Sequence, residues 1–330
     1  MVSEDELVHA IRKVLSGDAP GVVVGVGDDA AVVELGEGQA VLTVDTMVEE
    51  VHWDPSITTP HELGHKAVTV NVSDIAAMGG SPRFGLVSLA IARETPPAWV
   101  MEVYGGMREA AETYGVALIG GDTVRADRTV LTVALTGRVP TGRAVTRGGA
   151  RLGEAIVVTG ALGAAAGALA LSKAGPELKR SLGTDWERSL MEALQQPVAL
   201  VGEGEALASA GATAMIDVSD GLALDLSRIC EMSEVGALVR LEDIPVAPEL
   251  RELAGVIEVD PLELALHGGE DYQLLATMPA GAFEDARSAL DDRFGTTLTV
   301  IGEVTHSGLE LERPDGSREP LAPSGWDHFA

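Results

Sequence analysis

Ala117-Leu118-Ile119-Gly120-Gly121-Asp122-Thr123 joins a short apolar run to two glycines and an acid. Paired glycines at the end of such a run let a backbone approach something closely. The carboxylate beside them suggests that this something carries a cation. The spacing predicts a strand over 116–119 that stops in a glycine turn. Similar placements recur along the chain, at Gly27-Asp28-Asp29, Val44-Asp45-Thr46, Val72-Ser73-Asp74, Asp217-Val218-Ser219-Asp220 and Gly268-Gly269-Glu270-Asp271. Each sets acids where a strand or helix starts or stops. Asn71-Val72-Ser73-Asp74 and Asp217-Val218-Ser219-Asp220 also share Val-Ser-Asp, one in each half. That echo is either chance or the mark of two related domains lending acids to a common cleft.

The composition narrows the choices. A chain of 330 residues is long for one core, so two domains are expected. Hydrophobic content of 46% and charged content of 22% fit a globular protein. Aromatics reach only 3%, which leaves the core to Val, Leu, Ala and Ile. No run approaches the roughly 20 apolar residues of a membrane span. Met1-Val2-Ser3-Glu4-Asp5-Glu6 lacks a signal-peptide pattern, so a cytoplasmic location is expected. A single cysteine, Cys230, excludes an intrachain disulfide framework and any cysteine-cluster metal site. The net charge of −28 argues against nucleic acid as a partner. It also means that a phosphate ester would be held only through divalent cations standing between two anions.

Taken in order, Ser3-Glu4-Asp5-Glu6 reads as a capping box for a helix ended by Gly17. Strands are expected over 22–26, 30–35 and 39–45. Thr59-Pro60-His61-Glu62 starts a helix that runs to Met78 and stops at Gly79-Gly80. A strand over 84–91 precedes a second helix opened by Thr95-Pro96-Pro97, with Val100, Val103, Met107, Ala110, Ala111 and Tyr114 on one face. A strand over 129–139 closes this half. Pro140 to Gly153, rich in Gly and Arg, divides the chain into domains 1–140 and 141–330. Arg147 in that stretch is either part of a solvated linker or a phosphate ligand. Glycines between Gly160 and Gly167 match no Walker or dinucleotide spacing. Pro176 to Ser189 carries mixed charge and reads as a surface segment. Both halves mix strands with helices, and sequential strands often neighbour as hairpins. The fold class is therefore α+β, as two α/β domains rather than one doubly wound sheet.

Acids beside apolar runs are costly unless paired or metal-bound. Asp28, Asp29, Asp45, Asp74, Asp122, Asp217 and Asp220 are of this kind, with few basic residues nearby in sequence. For any one of them a helix cap or turn is the simpler reading. Together they point to a shared oxygen-only site, which suits Mg²⁺ with phosphate. Their spacing excludes an EF-hand.

The ordered set Gly27-Asp28-Asp29-Ala30, Val44-Asp45-Thr46, Asn71 to Gly79, Gly120-Gly121-Asp122-Thr123, Asp217 to Gly221 and Gly268 to Tyr272 resembles the thiamine-monophosphate kinase family. The likeness spans nearly the whole chain, closing on Gly325-Trp326-Asp327-His328-Phe329. That family belongs to the aminoimidazole ribonucleotide synthetase-like (PurM-like) superfamily, whose members use ATP without a P-loop. The resemblance implies an N-terminal domain (1–140) that binds ATP and Mg²⁺ and whose sheet forms a barrel with that of a partner, making a homodimer. It implies a C-terminal domain (141–330) that completes the nucleotide and substrate site. It implies metal ligands at Asp29, Thr43, Asp45, Asp74, Asp122, Asp217 and Asp220. Val44, where a hydroxyl residue is common in the family, could contribute only a backbone carbonyl. Nucleotide contacts are implied at Gly120, Gly121, Arg147 and Ser219, and substrate contacts at His52, Glu270 and Trp326. Asp122, Arg147 and Asp220 would serve the transfer itself.

The activity implied is ATP-dependent phosphorylation of thiamine monophosphate to thiamine diphosphate, in line and assisted by several Mg²⁺ ions, with a monovalent cation as a further candidate. A monoester phosphate is mostly dianionic at neutral pH and needs no general base. Two alternatives stand beside this reading. One is an ATP-dependent ligase like aminoimidazole ribonucleotide synthetase, which would have little use for Trp326 stacked on a cation. The other is a non-catalytic acidic module that binds nucleotide or cations. Selenophosphate synthesis expects a cysteine near the first glycine loop, and the hydrogenase-maturation branch expects one at the C-terminus. Neither is present.

Overall fold

The computed structural model describes residues 22–24, 28–34, 38–174 and 185–326. The expected helix ended by Gly17 and the closing Asp327-His328-Phe329 lie outside the described residues.

A first sheet takes the order β1 (Val22–Val24), β2 (Ala31–Glu34), β3 (Gln39–Val48), β6 (Val130–Val139), β4 (Ser81–Ala92), β5 (Ala117–Ala126). Two helices, α1 (Pro60–Ala77) and α2 (Pro97–Tyr114), cover one face. Strand alternation decides which side chains meet them. Val41 and Met47 of β3, Val87 and Leu89 of β4, and Leu131, Val133 and Leu135 of β6 are buried in one core. The opposite face carries Val44, Phe84 and Leu86, each more than half exposed at 61%, 52% and 51%.

The start of α1 follows the sequence closely. The Thr59 hydroxyl accepts from the Glu62 N–H at 3.3 Å, and the Glu62 carboxylate accepts from the Thr59 N–H at 2.7 Å. Its later course is unusual. Lys66, Thr69, Asn71 and Ser73 are buried along with the apolar residues. The helix can be wrapped in this way because it lies between two domains. Val68 and Val72 belong to the first core, while Ala77 joins a core of the second domain. Two glycines bring α1 against α2: a Cβ at Gly64 would stand 1.9 Å from the Val103 carbonyl oxygen, and one at Gly106 would stand 1.8 Å from that of His61.

The second sheet has the order β13 (Arg318–Pro320), β12 (Leu309–Glu312), β9 (Gly236–Arg240), β11 (Leu298–Thr305), β7 (Ala155–Thr159), β10 (Leu274–Met278), β8 (Ala214–Asp217). It is antiparallel apart from the β9–β12 pair. Strand β7 is buried on both faces. Ile156 and Val158 enter a core shared with α3 (Ala164–Lys173), α4 (Asp185–Gln195), α6 (Leu222–Ser233), α7 (Pro248–Ala254) and α8 (Pro261–His267). Ala155 and Val157 enter another, shared with α5 (Val201–Ala210) and α9 (Phe283–Phe294). The expected pair of α/β domains is present, each built on a mixed sheet.

Two local expectations are corrected. Gly120-Gly121-Asp122-Thr123 is not a turn; it lies inside β5, which continues to Ala126. The glycines serve the strand. A Cβ at Gly121 would fall 1.9 Å from the Val87 carbonyl oxygen of the neighbouring parallel strand, beside a register shift at Gly85/Leu86. The surface segment expected over 176–189 ends early, because α4 begins at Asp185. Trp186, Leu190 and Leu194 recur at helical spacing and pack on the core; a helix around Leu190 to Leu194 is legible in the sequence, and the charges between Trp186 and Leu190 obscure its first turn.

Candidate active site

Three acids from three distant stretches meet where the domains join. Asp29 precedes β2, Asp74 stands in the last turn of α1, and Asp217 ends β8. One carboxylate oxygen from each lies within 4.8 Å of the others. Neighbouring hydroxyls fix them. The Thr43 hydroxyl donates to Asp74 at 2.5 Å, and the Ser73 hydroxyl donates to Asp217 at 2.5 Å. Asp45 sits beside this group on the helix-facing side of β3, and its N–H donates to Asn71 Oδ1 at 3.1 Å.

The electrostatics are those of buried acids crowded together with too little positive charge to balance them. Burial, then the neighbouring acids, pushes Asp74 and Asp217 well above the usual carboxylate range. Burial chiefly lifts Asp45 to about 6, and burial followed by Asp29 lifts Asp28 to about 7. Arg147 answers part of this charge. Its guanidinium forks onto Asp29 with bonds of 3.0 and 2.5 Å, and its N–H donates to Asp28 at 3.0 Å. What remains is a set of hard oxygen donors whose charges repel, which fits a divalent cation such as Mg²⁺.

A second group forms around the loop after β8. The buried carboxylate of Asp225 accepts from the N–H groups of Ser219, Asp220 and Gly221 at 3.1, 3.0 and 3.1 Å. Arg228 bridges Asp225 and Asp220 at 2.7 and 2.6 Å. The same loop anchors two others through its carbonyls. The Glu270 N–H donates to Ser219 at 2.7 Å, and the Trp326 N–H donates to Asp220 at 3.0 Å. Ser219, Asp220, Glu270 and Trp326 are thus gathered into one region next to Asp217. Asp271 faces the other way: its carboxylate accepts from the Gly163 N–H at 2.7 Å at the start of α3. His52 sits on the turn after β3, its Nδ1 accepting from the Val48 N–H at 3.1 Å.

Gly120, Gly121 and Asp122 stand apart from the acid cluster. In β5 Asp122 is level with Ser88 of β4, Thr132 of β6 and Thr46 of β3, and shares their face. That is the exposed face, whereas Asp45 points to the helices. Three strand spacings, roughly 14 Å, also separate β5 from β3. One chain therefore cannot bring Asp122 and Asp45 to one ion. Beside Asp122, a cleft of about 780 Å³ opens between α2 and β5, lined by Met101, Tyr104, Arg108, Leu118, Gly120 and Gly121. Tyr104 was not among the sequence candidates. The available signal is its place on the flank of an amphipathic helix, in a chain with few aromatics. Lys66, Asn71 and Ser73 were also missed, since each acquires meaning only from a distant partner. Asp225 and Arg228 were missed although their partners lie within eight residues, because on a helix they read as an ordinary exposed pair.

The sequence matches two family models, "AIR synthase related protein, N-terminal domain" over residues 27–139 and "AIR synthase related protein, C-terminal domain" over residues 151–312. A thiamine-monophosphate kinase of Bacillus subtilis is 35% identical over 335 residues, covering 99% of this chain and 100% of its own length. That of Aquifex aeolicus is 33% identical, covering 99% and 98%. Among solved structures, AaThiL complexed with AMPPCP and TMP superposes with a TM-score of 0.87 at 31% identity, over 99% of this chain and 97% of that one. The hydrogenase-maturation protein HypE of E. coli, at 21% identity and a TM-score of 0.69 over 96% of each chain, shares the fold. The chain belongs to the thiamine-monophosphate kinase family of enzymes.

Proposed function

We propose that this chain transfers the γ-phosphoryl group of ATP directly to the phosphate of thiamine monophosphate. The observation that carries this reading is the convergence of Asp29, Asp74 and Asp217 at the domain junction, next to the loop that anchors Glu270 and Trp326. The names of the relatives and the ligands of AaThiL support the choice of substrates. In this reading Asp29, Thr43, Asp45, Asp74, Asp217 and Asp220 hold Mg²⁺, with Asp122 contributing from β5. Bound there, Mg²⁺ would neutralise oxygens of the donor and acceptor phosphates, whose mutual repulsion is the main barrier to approach. The chain's own residues position the reactants. Ser219 lies on a loop held rigid by Asp225, so its hydroxyl can meet the donor phosphates without reorganisation. Gly120 and Gly121 beside Tyr104 and Arg108 offer a place for the nucleotide. Arg147, pinned to Asp28 and Asp29, keeps a cationic edge next to the acids. Trp326 can lie against a cationic ring and Glu270 can meet its charge. His52 completes the acceptor side. The nucleophile is the acceptor's own phosphate oxygen, so no side chain serves as a general base.

The opposed faces of Asp122 and Asp45 give this proposal a further element, a homodimer. The exposed apolar face with Val44, Phe84 and Leu86 is the surface on which a second copy would sit, sheet against sheet. Asp122 lies on that same face, so it would stand at the junction of the two copies, within reach of the partner's site rather than of its own. The domains 1–140 and 141–330 would divide the work, the first holding nucleotide and metal and the second completing the site. Among the described residues no helix is long and apolar enough to cross a membrane.

The test is ADP release that depends on thiamine monophosphate and Mg²⁺. Asp122→Asn is expected to lower turnover by orders of magnitude while leaving the circular dichroism spectrum unchanged. Near-normal turnover at saturating Mg²⁺ would sink the metal-site assignment, and no ADP with any phosphorylated acceptor would sink the kinase.

A further inference from the structure

Lys66 stands on α1 with 3% of its surface exposed, and its ammonium lies 2.6 Å from Oε1 of Glu270. Removing two charges from water costs about as much as their attraction returns, so stability alone explains such a pair poorly. The pair joins the domains: Lys66 comes from α1, and Glu270 from the loop between α8 and β10. Its two ends differ. The lysine side chain is 4% exposed, whereas that of Glu270 is 27% exposed and reaches the open side.

The backbone under Glu270 is fixed. Its N–H is bound to the Ser219 carbonyl, and its φ of 67° is a conformation that a non-glycine residue holds only when its surroundings impose it. At Gly269 a Cβ would come 2.4 Å from the same Ser219 carbonyl oxygen. Asp271, next in the chain, is bound to the start of α3. This loop is not free to follow a ligand. Only the Glu270 carboxylate can turn and change partner.

Resting on the kinase reading above, the acceptor carries a cationic ring and a dianionic phosphate. Those two charges mirror the protein's own pair. We propose that the acceptor inserts into the Lys66–Glu270 ion pair, with the Glu270 carboxylate turning to the cationic ring and the Lys66 ammonium donating to the acceptor's phosphate. Lys66 is then the residue that makes the site specific for a phosphorylated acceptor. The ring without its phosphate must break the ion pair and leave a buried ammonium without an anion, which is costly. The phosphorylated molecule supplies both replacements at once. A lysine suits this task, being a compact charge with three donors on a flexible stem. Ser73, which binds Asp217, lies two turns further along the same face of α1, roughly 10 Å from Lys66 along the axis. The ammonium therefore lies on the side of the helix that leads to the acid cluster.

The experiment is isothermal titration of the full-length protein in Mg²⁺ with thiamine monophosphate and with thiamine, comparing wild type with Lys66→Met. The proposal expects the variant to bind thiamine monophosphate at least tenfold more weakly, and thiamine as well as or better than wild type, because Glu270 no longer has to be released. Equal weakening of both ligands would mean that Lys66 only ties the domains together, and unchanged binding of the phosphorylated ligand would mean that it does not meet the phosphate. Either result overturns the proposal. Should Lys66→Met fail to fold, Lys66→Gln, which keeps a hydrogen bond to Glu270, reads the same preference: the ratio of thiamine monophosphate to thiamine affinity falls at least tenfold if the ammonium meets the phosphate, and an unchanged ratio overturns the proposal. Failure of wild type to form ADP with thiamine monophosphate would overturn the kinase reading itself, and is seen without any variant.

Discussion

Metal-free protein should lose stability as pH rises, and Mg²⁺ should restore it. Asp45 and Asp28 have folded-state pKa values of about 6 and about 7, against an ordinary value of 3.8. A carboxyl that holds its proton more tightly when folded favours the folded state at low pH. That advantage is complete below about pH 4 and is lost as pH climbs through 6 and 7. Each tenfold gain in proton affinity on folding is worth about 1.4 kcal/mol, so Asp45 alone carries on the order of 3 kcal/mol. The acids interact, which limits the sum to a few kcal/mol. For domains of this size that is a fall in melting temperature of several degrees, at about 2–4 °C per kcal/mol. Calorimetry in EDTA at pH 5 and pH 8 reads it directly. Mg²⁺ binds the deprotonated acids, and at a hundred times its dissociation constant it adds about 2.7 kcal/mol. Its stabilising effect should therefore be larger at pH 8 than at pH 5. A melting temperature in EDTA that stays flat or rises from pH 5 to 8 would refute the picture of uncompensated buried acids.

Other expectations follow from single contacts. Ser73→Ala removes the hydroxyl bound to Asp217 at 2.5 Å, so the apparent Mg²⁺ affinity should fall about tenfold, read as a smaller Mg²⁺-induced shift in melting temperature. Gly106→Val would drive a side chain into the His61 backbone, and a loss of at least about 1–3 kcal/mol should appear as a lower urea midpoint. Leu86→Glu places a charge on the exposed apolar face of the first sheet; sedimentation should then find monomers, and the unchanged core should leave the circular dichroism spectrum as it was.

The sequence was most informative where a local rule operates. Thr59-Pro60-His61-Glu62 is a cap that needs no distant partner, and α1 starts there. Acids flanking apolar runs marked Asp29, Asp45, Asp74 and Asp217 because buried charge is expensive wherever it occurs. Local rules failed at Gly120 and Gly121. Two glycines read as a turn, but here they continue a strand, and Gly121 relieves crowding against β4, a strand about thirty residues earlier in the chain. They failed again at Lys66, whose meaning depends on Glu270 in the other domain, and at Ser73, which depends on Asp217. The face on which Asp122 lies follows from strand register, which no local pattern of residues reveals.

That register has a genetic consequence. If the acids serving one reaction lie on two chains, a copy damaged at Asp122 and a copy damaged at Asp217 are each inert alone. A mixed pair would carry one centre with both lesions and one with none. Two silent alleles could then complement each other, restoring up to roughly a quarter of full turnover from a random mixture of dimers.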